Sequence, residues 1–471
     1  MPESVLSRLP FTLYNLKAAK LSYETSNHLL EFGIQTLSLG CDLVQNMHTH
    51  GTASMSRFMA VLGCDAHKLF SGFAGVQGQA FERNFSLFKN TLFDNLKQFK
   101  QERQAELDFI TLFSEQRCDQ DWRVAYDDTQ VILDLPSLRV IDISQSRDHL
   151  IDNYTIVFAP RAGHHSNIAE RVALYLRDQG LTRMVVVEQK CADDIPLYVD
   201  GQRHSEDFIS QVQQYTQVMA HARQLTGKPA HLVAICQPGP LLISALILNP
   251  RLGKTLGTAG SPMHTEAQKG FLTDFARLMG PDLVDRIMRF SGRTIDSNRI
   301  GAGREAYDGA LQVLGFYYLG MDQHVRNFKH LLNDLRTGNA EAVERQKVFY
   351  DWYNTVLHFP AGFVRDTYRK IFVGNELIHG KLEIGNKRVG IKDYPGAVPV
   401  WALGGKADAI VPPLQATGHM DLIQSVPASD KLNLTCDGGH MALFRSKKVL
   451  KSHYRQIADF MLERSDRASK H

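Results

Sequence analysis

The sequence is short of cysteine, of net charge and of long apolar runs, and each shortage excludes a class of protein. Its six cysteines are scattered over 471 residues without a CxxC pair or another metal-ligand spacing. Disulfide-rich secreted domains and structural zinc sites both need such spacing. We therefore expect free thiols in a reducing cytoplasm, with no metal and no cofactor. The six are Cys41, Cys64, Cys118, Cys191, Cys236 and Cys436.

Charge and hydropathy exclude two further classes. The 53 Lys and Arg residues nearly balance the 50 Asp and Glu residues, and a net charge of +3 offers no footprint for a nucleic-acid partner. No apolar run approaches the ~20 residues that cross a bilayer, so no transmembrane segment is expected. The first residues also lack the basic stretch and apolar core of a secretory signal. We predict a cytoplasmic protein, and its length indicates two or three structural units.

Residues 1–118 have a helical texture that the rest of the chain lacks. In the segment 77–116, apolar residues recur at every third or fourth position, which puts them on one face of a helix. This stripe either packs against neighbouring helices or lies on an apolar surface such as a lipid-like body. The balanced charge on the other faces favours packing. The members of the stripe are Phe81, Phe85, Phe88, Leu92, Leu96 and Phe99.

Strands and helices alternate in two separate stretches, residues 119–264 and 395–471. Alternation of this kind predicts an α/β fold with a mostly parallel sheet covered by helices on both faces. Between the two stretches, the residues 265–394 are typical of helices and rich in aromatic side chains. Helices inserted between two strands of a sheet form a cap or lid. The aromatic residues of this cap either build its own core or line an apolar substrate channel.

The stretch from His231 to Pro240 carries the clearest chemical signal. Apolar residues predict a buried strand, the run after Pro238 predicts a helix, and Cys236 stands in the turn between them. A sharp strand-to-helix turn that presents a nucleophile is the elbow of the α/β-hydrolase fold. Against the usual Gly-x-Ser-x-Gly pattern, Ala234 keeps the first small residue and Pro238 replaces the second glycine. Taken alone, the cysteine would more readily be a small buried apolar residue.

Two later residues complete a catalytic triad with Cys236. Asp408 follows a strand in a Gly-Gly-x-x-Asp turn, and His440 follows the last strand in a Gly-Gly-His loop. The chain order nucleophile, acid, histidine is that of α/β-hydrolases. In this chemistry the histidine removes the thiol proton, the aspartate fixes the histidine tautomer, and the thiolate forms an acyl-enzyme. Three such residues in this order favour the catalytic reading over a structural one.

Oxyanion donors are predicted beside the elbow. The backbone N–H of Gln237, the residue after the nucleophile, is one candidate. The second candidate comes from the loop after the first parallel strand, which contains Arg161, Ala162, His164 and His165. The two histidines either contact substrate or only support the loop.

Seven stretches of the chain, taken together, carry a family resemblance. They are residues 158–165, 207–209, 234–240, 260–263, 307–316, 349–353 and 439–444. In these stretches the chain resembles the intracellular polyhydroxybutyrate (polyhydroxyalkanoate) depolymerases, α/β-hydrolases with a cysteine nucleophile in a Cys-Gln-Pro elbow. The resemblance implies a carboxylic ester hydrolase that uses Cys236, Asp408 and His440 on a stored polyester of 3-hydroxy acids, at the surface of cytoplasmic granules. The chain departs from the family pattern at Ser261 and Ala409, where glycine and aspartate are usual.

Two other readings stay open at this point. A polyhydroxyalkanoate synthase also joins a helical N-terminal region to a cysteine α/β-hydrolase domain, but its elbow reads Gly-x-Cys-x-Gly-Gly, unlike residues 234–239 here. A granule-binding protein that kept the fold without activity would have no need of all three triad residues. The sequence favours the depolymerase. It leaves open the monomer length, the formation of a homo-oligomer, and whether water or coenzyme A takes the acyl group.

Overall fold

The computed structural model describes five continuous stretches of the chain and two single residues. None of the helices within these stretches combines the length and the hydropathy that crossing a membrane requires. The described residues are Gln35, Ser38, 78–114, 130–145, 151–161, 167–354 and 357–467.

The contacts within the chain divide it into two compact units. The first comprises Met1–Val5, Cys118–Asp322 and Val348–His471, and the second comprises Leu6–Arg117 and Gln323–Lys347. The break after Arg117 lies close to the predicted end of the N-terminal helical region at residue 118. The predicted cap, residues 265–394, is not a single unit here, because Gln323–Lys347 groups with the N-terminal region. The division of the chain into four parts, residues 1–118, 119–264, 265–394 and 395–471, stays a prediction.

An eight-stranded sheet forms the centre of the first unit. Its strands, in chain order, are β1 Val131–Asp134, β2 Leu138–Asp142, β3 Thr155–Phe158, β4 Met184–Gln189, β5 Ala230–Ile235, β6 Gly253–Ala259, β7 Val400–Gly405 and β8 Lys431–Cys436. From edge to edge their order is β1-β2-β4-β3-β5-β6-β7-β8, and every neighbouring pair from β4 onward is parallel, whereas β2 runs antiparallel to both β1 and β4. This is the α/β-hydrolase fold, as the sequence predicted.

The central strands are buried on both faces, which explains why they read as continuous apolar runs. Every residue of β3 and β5 is buried. On one face, Phe158 and Leu232 join an apolar cluster with Phe208 and Tyr215 from one helix and Leu242 from the next. Because successive side chains of a strand point to opposite faces, the residues between them line the other face.

Helices connect the strands and cover the sheet. One of them shows how local sequence sets its limits: Asp207 and Ser210 form a reciprocal capping box at its start, and Gly227 ends it with a φ of 72°. The helices are Gly78–Ser114, Asn167–Asp178, Phe208–Thr226, Gly239–Leu248, Phe271–Met279, Leu283–Ser291, Gly309–Leu319, Met321–Thr337, Ala340–Asn354, Ala361–Thr367, Glu376–His379, Pro413–Thr417, Ala442–Arg445, Lys447–Val449 and Arg455–Glu463, with π-helical turns at Tyr368–Val373 and Leu450–Tyr454. Short strands pair Tyr198–Val199 with Gln202–Arg203, Glu305–Tyr307 with both Arg293–Thr294 and Phe359–Pro360, and Leu382–Ile384 with Lys387–Val389.

The long helix Gly78–Ser114 belongs to the second unit and covers the segment predicted as helical. Its last turns pack against another helix of that unit, because the rings of Phe109 and Phe328 meet edge to face at 5.8 Å. Glu106 pairs with Arg336 at 3.9 Å beside them. The last turns of this helix therefore pack against a neighbouring helix, as the packing interpretation of the stripe requires. The side chains of the stripe residues Phe81, Phe85, Phe88 and Phe99 lie outside the described part of the structure.

Candidate active site

Cys236 lies directly after β5, in the turn that leads into the helix Gly239–Leu248. Its φ is +63°, in the left-handed region that non-glycine residues rarely adopt. Its N–H donates to the carbonyl of Ala259 in β6 at 2.8 Å, which ties the turn to the neighbouring strand. Strained backbone of this kind persists where the surrounding structure holds it, commonly at functional sites. The thiol is half-buried at the carboxyl edge of the sheet.

Gly239 allows the start of the helix after the elbow to lie close to the segment that follows β6. A Cβ at this position would lie 2.5 Å from the Cβ of Ser261 and 2.7 Å from the sulfur of Met263. The helix can therefore start against the segment after β6 only with glycine here. Pro238 precedes it as the N-cap, where a missing N–H loses no helical hydrogen bond. Sequence reasoning noticed the proline but missed the role of Gly239, although the run Cys-Gln-Pro-Gly contains it.

Asp408 and His440 meet beside the elbow at the same edge of the sheet. Asp408 follows β7 and His440 follows β8, and the imidazole Nδ1 donates to the Asp408 Oδ2 at 2.7 Å. The other carboxylate oxygen, Oδ1, accepts the N–H groups of Ile410 and Val411, both at 2.9 Å. The carboxylate is fully buried and its two oxygens are oriented by three donors. This arrangement fixes the imidazole with Nδ1 protonated and Nε2 free to face the thiol.

His440 also forms a hydrogen bond with Cys236, which brings the three predicted residues together. Burial alone would lower the pKa of His440. The negative charge of Asp408, the neighbouring Cys236 and the hydrogen bonds to both outweigh burial and hold the pKa of His440 well above its usual value. Gly260, with a φ of 58°, keeps space beside the ring, because a Cβ there would lie 3.2 Å from the His440 Cε1.

The predicted oxyanion donors are only partly described. The side-chain oxygen of Gln237 accepts the backbone N–H of Arg161 at 2.9 Å, so the N–H of Arg161 already has a partner. The bond ties the elbow to the loop that follows β3. Ala162, His164 and His165 lie outside the described residues.

The side chain of Arg161, one of the predicted oxyanion or substrate-binding residues, is buried inside the protein, and its substrate role stays a prediction. The guanidinium is buried and donates to Glu206 at 3.2 Å, to Gln211 at 3.1 Å and to the carbonyl of Lys190 at 3.0 Å. Burial alone would raise the pKa of Glu206, but the hydrogen bond from His204 and the charge of Arg161 outweigh it and lower that pKa. A buried arginine stays charged only with such partners.

Sequence reasoning missed this ion-pair network entirely. Its members come from three separate segments, and no spacing in the sequence connects Arg161 with Glu206. The one available signal was the presence of charged and amide residues, Glu206, Gln211 and Gln214, where the apolar face of a helix begins. All three are buried.

Within the residues that the structure describes, no group of three or more histidine, cysteine, aspartate or glutamate side chains is arranged to hold a metal ion.

The carboxy-terminal part of the chain is similar to a known family. Residues 260–465 match the family described as PHB de-polymerase C-terminus. This segment contains two of the three predicted triad residues, Asp408 and His440. The match agrees with the resemblance stated from the sequence, and the chain is a carboxylic ester hydrolase.

Solved structures of α/β-hydrolases are similar to the chain at low identity. A soluble variant of the monoglyceride lipase from Saccharomyces cerevisiae is 12% identical over 73% of this chain and 98% of its own, with a TM-score of 0.46. The monoacylglycerol lipase of Paleococcus ferrophilus is 12% identical over 70% of this chain and 100% of its own, with a TM-score of 0.39. No curated protein sequence matches the chain.

Proposed function

We propose that the chain hydrolyses a storage polyester of 3-hydroxy acids, poly-3-hydroxybutyrate or a related polyhydroxyalkanoate, with Cys236 as nucleophile. One observation carries the proposal. The His440 imidazole lies between the Asp408 carboxylate, at 2.7 Å, and the thiol of Cys236, which a left-handed turn presents. The match to the PHB de-polymerase C-terminus family supports a polyester as the substrate.

The first half of the reaction forms a thioester. Nδ1 of His440 is bonded to Asp408, so Nε2 takes the thiol proton of Cys236 while Asp408 stabilises the imidazolium. The thiolate sulfur attacks an ester carbonyl carbon of the polymer and gives a tetrahedral oxyanion. When this intermediate collapses, the carbon–oxygen bond of the ester breaks. The departing alkoxide, which is the hydroxyl end of one polymer fragment, takes the proton from His440.

The second half releases the other fragment as an acid. His440 removes a proton from water, and the hydroxide attacks the thioester carbonyl. Collapse of the second intermediate breaks the carbon–sulfur bond, and the proton on His440 returns to the sulfur of Cys236. We assign the N–H of Gln237 as one oxyanion donor, and the loop with Ala162, His164 and His165 as the source of the second.

The proposal includes the surface on which the enzyme works. A water-insoluble polyester is reached only at the boundary of its granule, so the partner is a granule surface in the cytoplasm. An acceptor other than water, such as coenzyme A, would leave the first half unchanged and alter only the second.

Replacement of the nucleophile tests the mechanism. Cys236→Ala should abolish release of 3-hydroxybutyrate from amorphous granules and keep the circular-dichroism spectrum of the wild type. Cys236→Ser should keep a small fraction of the activity, because the hydroxyl is the weaker nucleophile. Cys191→Ala is the matched control, since it removes a thiol that is not part of the proposed triad and accepts the N–H of His358 at 3.3 Å, and it should retain turnover. Full activity of Cys236→Ala would contradict the mechanism.

A second experiment separates hydrolysis from polymer synthesis. The purified protein should release soluble 3-hydroxybutyrate or its oligomers from granules. With 3-hydroxybutyryl-coenzyme A as the only substrate, it should form no polymer. Polymer formation without release would replace the proposed depolymerase with a synthase.

A further inference from the structure

The cap of the first unit contains a cavity of about 680 Å³ that is partly open to solvent. The helices Phe271–Met279, Leu283–Ser291, Gly309–Leu319 and Ala361–Thr367, with the π-helical turn after the last, supply its walls. Aliphatic and aromatic side chains make up most of the lining, and the aromatic ones include Phe275, Phe316 and Phe372. Among the lining residues that the structure describes, none carries a charge at neutral pH. Gln312 supplies the one amide.

The tyrosines of the lining add no charge. Burial and the neighbouring Asp308 raise the pKa of Tyr307 to about 12, so its hydroxyl stays neutral. Tyr368 donates its hydroxyl to the carbonyl of Ala276 at 2.9 Å, which leaves mainly its ring for the cavity. An apolar cavity of this volume is in the range that binds a small organic ligand.

One wall of the cavity is fixed to the loop of the catalytic acid. Val411 donates its N–H to Asp408, and Gln415, a few residues further on, donates its side-chain amide to Thr273 at 3.0 Å. Thr273 belongs to the helix that carries Phe271 and Phe275 into the cavity. The same side-chain amide of Gln415 donates to the carbonyl of Gln268 at 2.7 Å. The segment that orients Asp408 therefore also orients this wall.

We infer that the cavity is a binding subsite for uncharged ester segments with alkyl side chains, and that it rejects the carboxylate product. The inference rests on the proposed function and adds a selectivity to it. Ester groups and alkyl chains enter such a lining without losing strong solvation, and Gln312 can donate to an ester carbonyl. A carboxylate would lose its hydration with no cation to replace it. Each hydrolysis creates a carboxylate end, so the cavity holds the chain and releases the acid.

Gly315 makes the subsite testable, because it lines the cavity without a side chain. A Cβ added at this position meets no atom within 4 Å, and its φ lies outside the left-handed region. The series Gly315→Ala, Gly315→Leu and Gly315→Trp therefore fills the cavity in steps. Leu278→Trp is the matched control, because it adds the same indole to a cap helix at an exposed position outside the lining.

Binding is measured in the full-length Cys236→Ala protein, so that no probe is consumed. The two probes are the linear trimer of 3-hydroxybutyrate as its methyl ester and as its free acid, titrated by calorimetry at pH 7. The methyl ester should bind at least tenfold more tightly than the acid. Gly315→Leu should weaken the ester by a few fold and Gly315→Trp by at least tenfold, whereas Leu278→Trp should bind it as the parent does.

The outcomes distinguish this inference from the proposed function. Equal binding of the ester and the acid, or unaltered ester binding in Gly315→Trp, would overturn the subsite even if granules are hydrolysed. Selective ester binding by a protein whose wild type hydrolyses no ester would overturn the proposed function and retain the subsite. If Gly315→Trp has a lowered unfolding temperature, Gly315→Leu decides, since its smaller side chain should still weaken the ester more than the acid.

Discussion

At the scale of single residues, the orientation of the Asp408 carboxylate determines which nitrogen of His440 meets the thiol. Oδ1 accepts two backbone N–H groups and Oδ2 accepts the imidazole Nδ1–H. Each carboxylate oxygen therefore accepts hydrogen bonds from a defined set of donors. An NH₂ group in place of either oxygen would face another donor, so the hydrogen bonds around it would have to rearrange.

Asp408→Asn should therefore reverse the imidazole tautomer. The amide oxygen has to face the N–H groups of Ile410 and Val411, which turns the amide NH₂ towards His440. Nδ1 must then accept, and Nε2 carries the proton that should come from Cys236. We expect kcat on a soluble ester to fall on the order of 10³–10⁴-fold, as for an aspartate-to-asparagine change in other triads.

The pH dependence of activity is a second measurement on the Asp408→Asn variant. Without the Asp408 charge, the pKa of His440 should fall towards its usual value, and the acidic limb of any residual activity should move with it. Asp437→Asn is the control, because this exposed carboxylate pairs with Lys406 at 2.8 Å near the same loops. Activity of Asp408→Asn within tenfold of wild type would contradict a catalytic role for the carboxylate.

What could be predicted from the sequence depends on whether a residue follows a strand. The loops after parallel strands meet at one edge of a sheet, so a cysteine, an aspartate and a histidine after β5, β7 and β8 could be expected together. Arg161 also follows a strand, yet its guanidinium is turned into the protein towards Glu206. Side-chain direction in a loop depends on partners from distant segments, and spacing along the chain does not report those partners.

At the scale of elements, the periodicity of apolar residues in the segment 77–116 predicted the limits of the helix Gly78–Ser114 closely, but periodicity does not predict the geometry within a helix. The helix Arg455–Glu463 near the carboxyl end directly follows a π-helical turn at Leu450–Tyr454. Such a turn holds one extra residue without changing which residues are apolar. Periodicity therefore predicts that a helix is present and leaves such a local insertion unseen.

The long helix Gly78–Ser114 carries the phenylalanine stripe, whose role stays a prediction. Phe81→Ser, Phe85→Ser and Phe88→Ser in one protein should separate its two readings. If the stripe attaches the enzyme to granules, binding should be lost, since each buried aromatic contributes roughly 1.5–3 kcal/mol, and a small soluble ester should still be hydrolysed. If the stripe packs within the protein, the unfolding temperature should fall and both activities should decline.

Granule co-sedimentation and thermal unfolding together decide between them. Leu87→Ser is the control on the same helix, because Leu87 is already 69% exposed and its loss should change stability little. Unchanged granule binding with lowered stability would exclude the attachment surface.

At the scale of the whole molecule, two buried histidines make the first unit sensitive to acid. Burial, with Lys254 nearby, lowers the pKa of His231 to about 3, and burial, with His264 nearby, lowers the pKa of His419 to about 3. Between pH 6.5 and 3 the unfolded chain binds these two protons and the folded chain does not. The free energy of unfolding therefore falls as the pH falls through this window.

Between pH 7 and pH 5 this loss should amount to about 2 kcal/mol for each of the two histidines. Urea unfolding followed by tryptophan fluorescence measures it, and all three tryptophans of the sequence fall within the first unit. His419→Leu, of similar side-chain volume, should remove the contribution of one histidine, about 2 kcal/mol between pH 7 and pH 5. An unchanged dependence in that variant would contradict a neutral buried His419.

The parallel pairing of β7 with β6 has a consequence for the order in which the chain matures. The strand β6 and the elbow are made before the whole cap insertion, and β7 and β8 only after it. On a ribosome the proposed nucleophile, Cys236, therefore emerges long before Asp408 and His440. Contacts of such sequence separation form late in folding. Until β7 and β8 have paired with the sheet, the proposed nucleophile has neither the carboxylate nor the imidazole beside it.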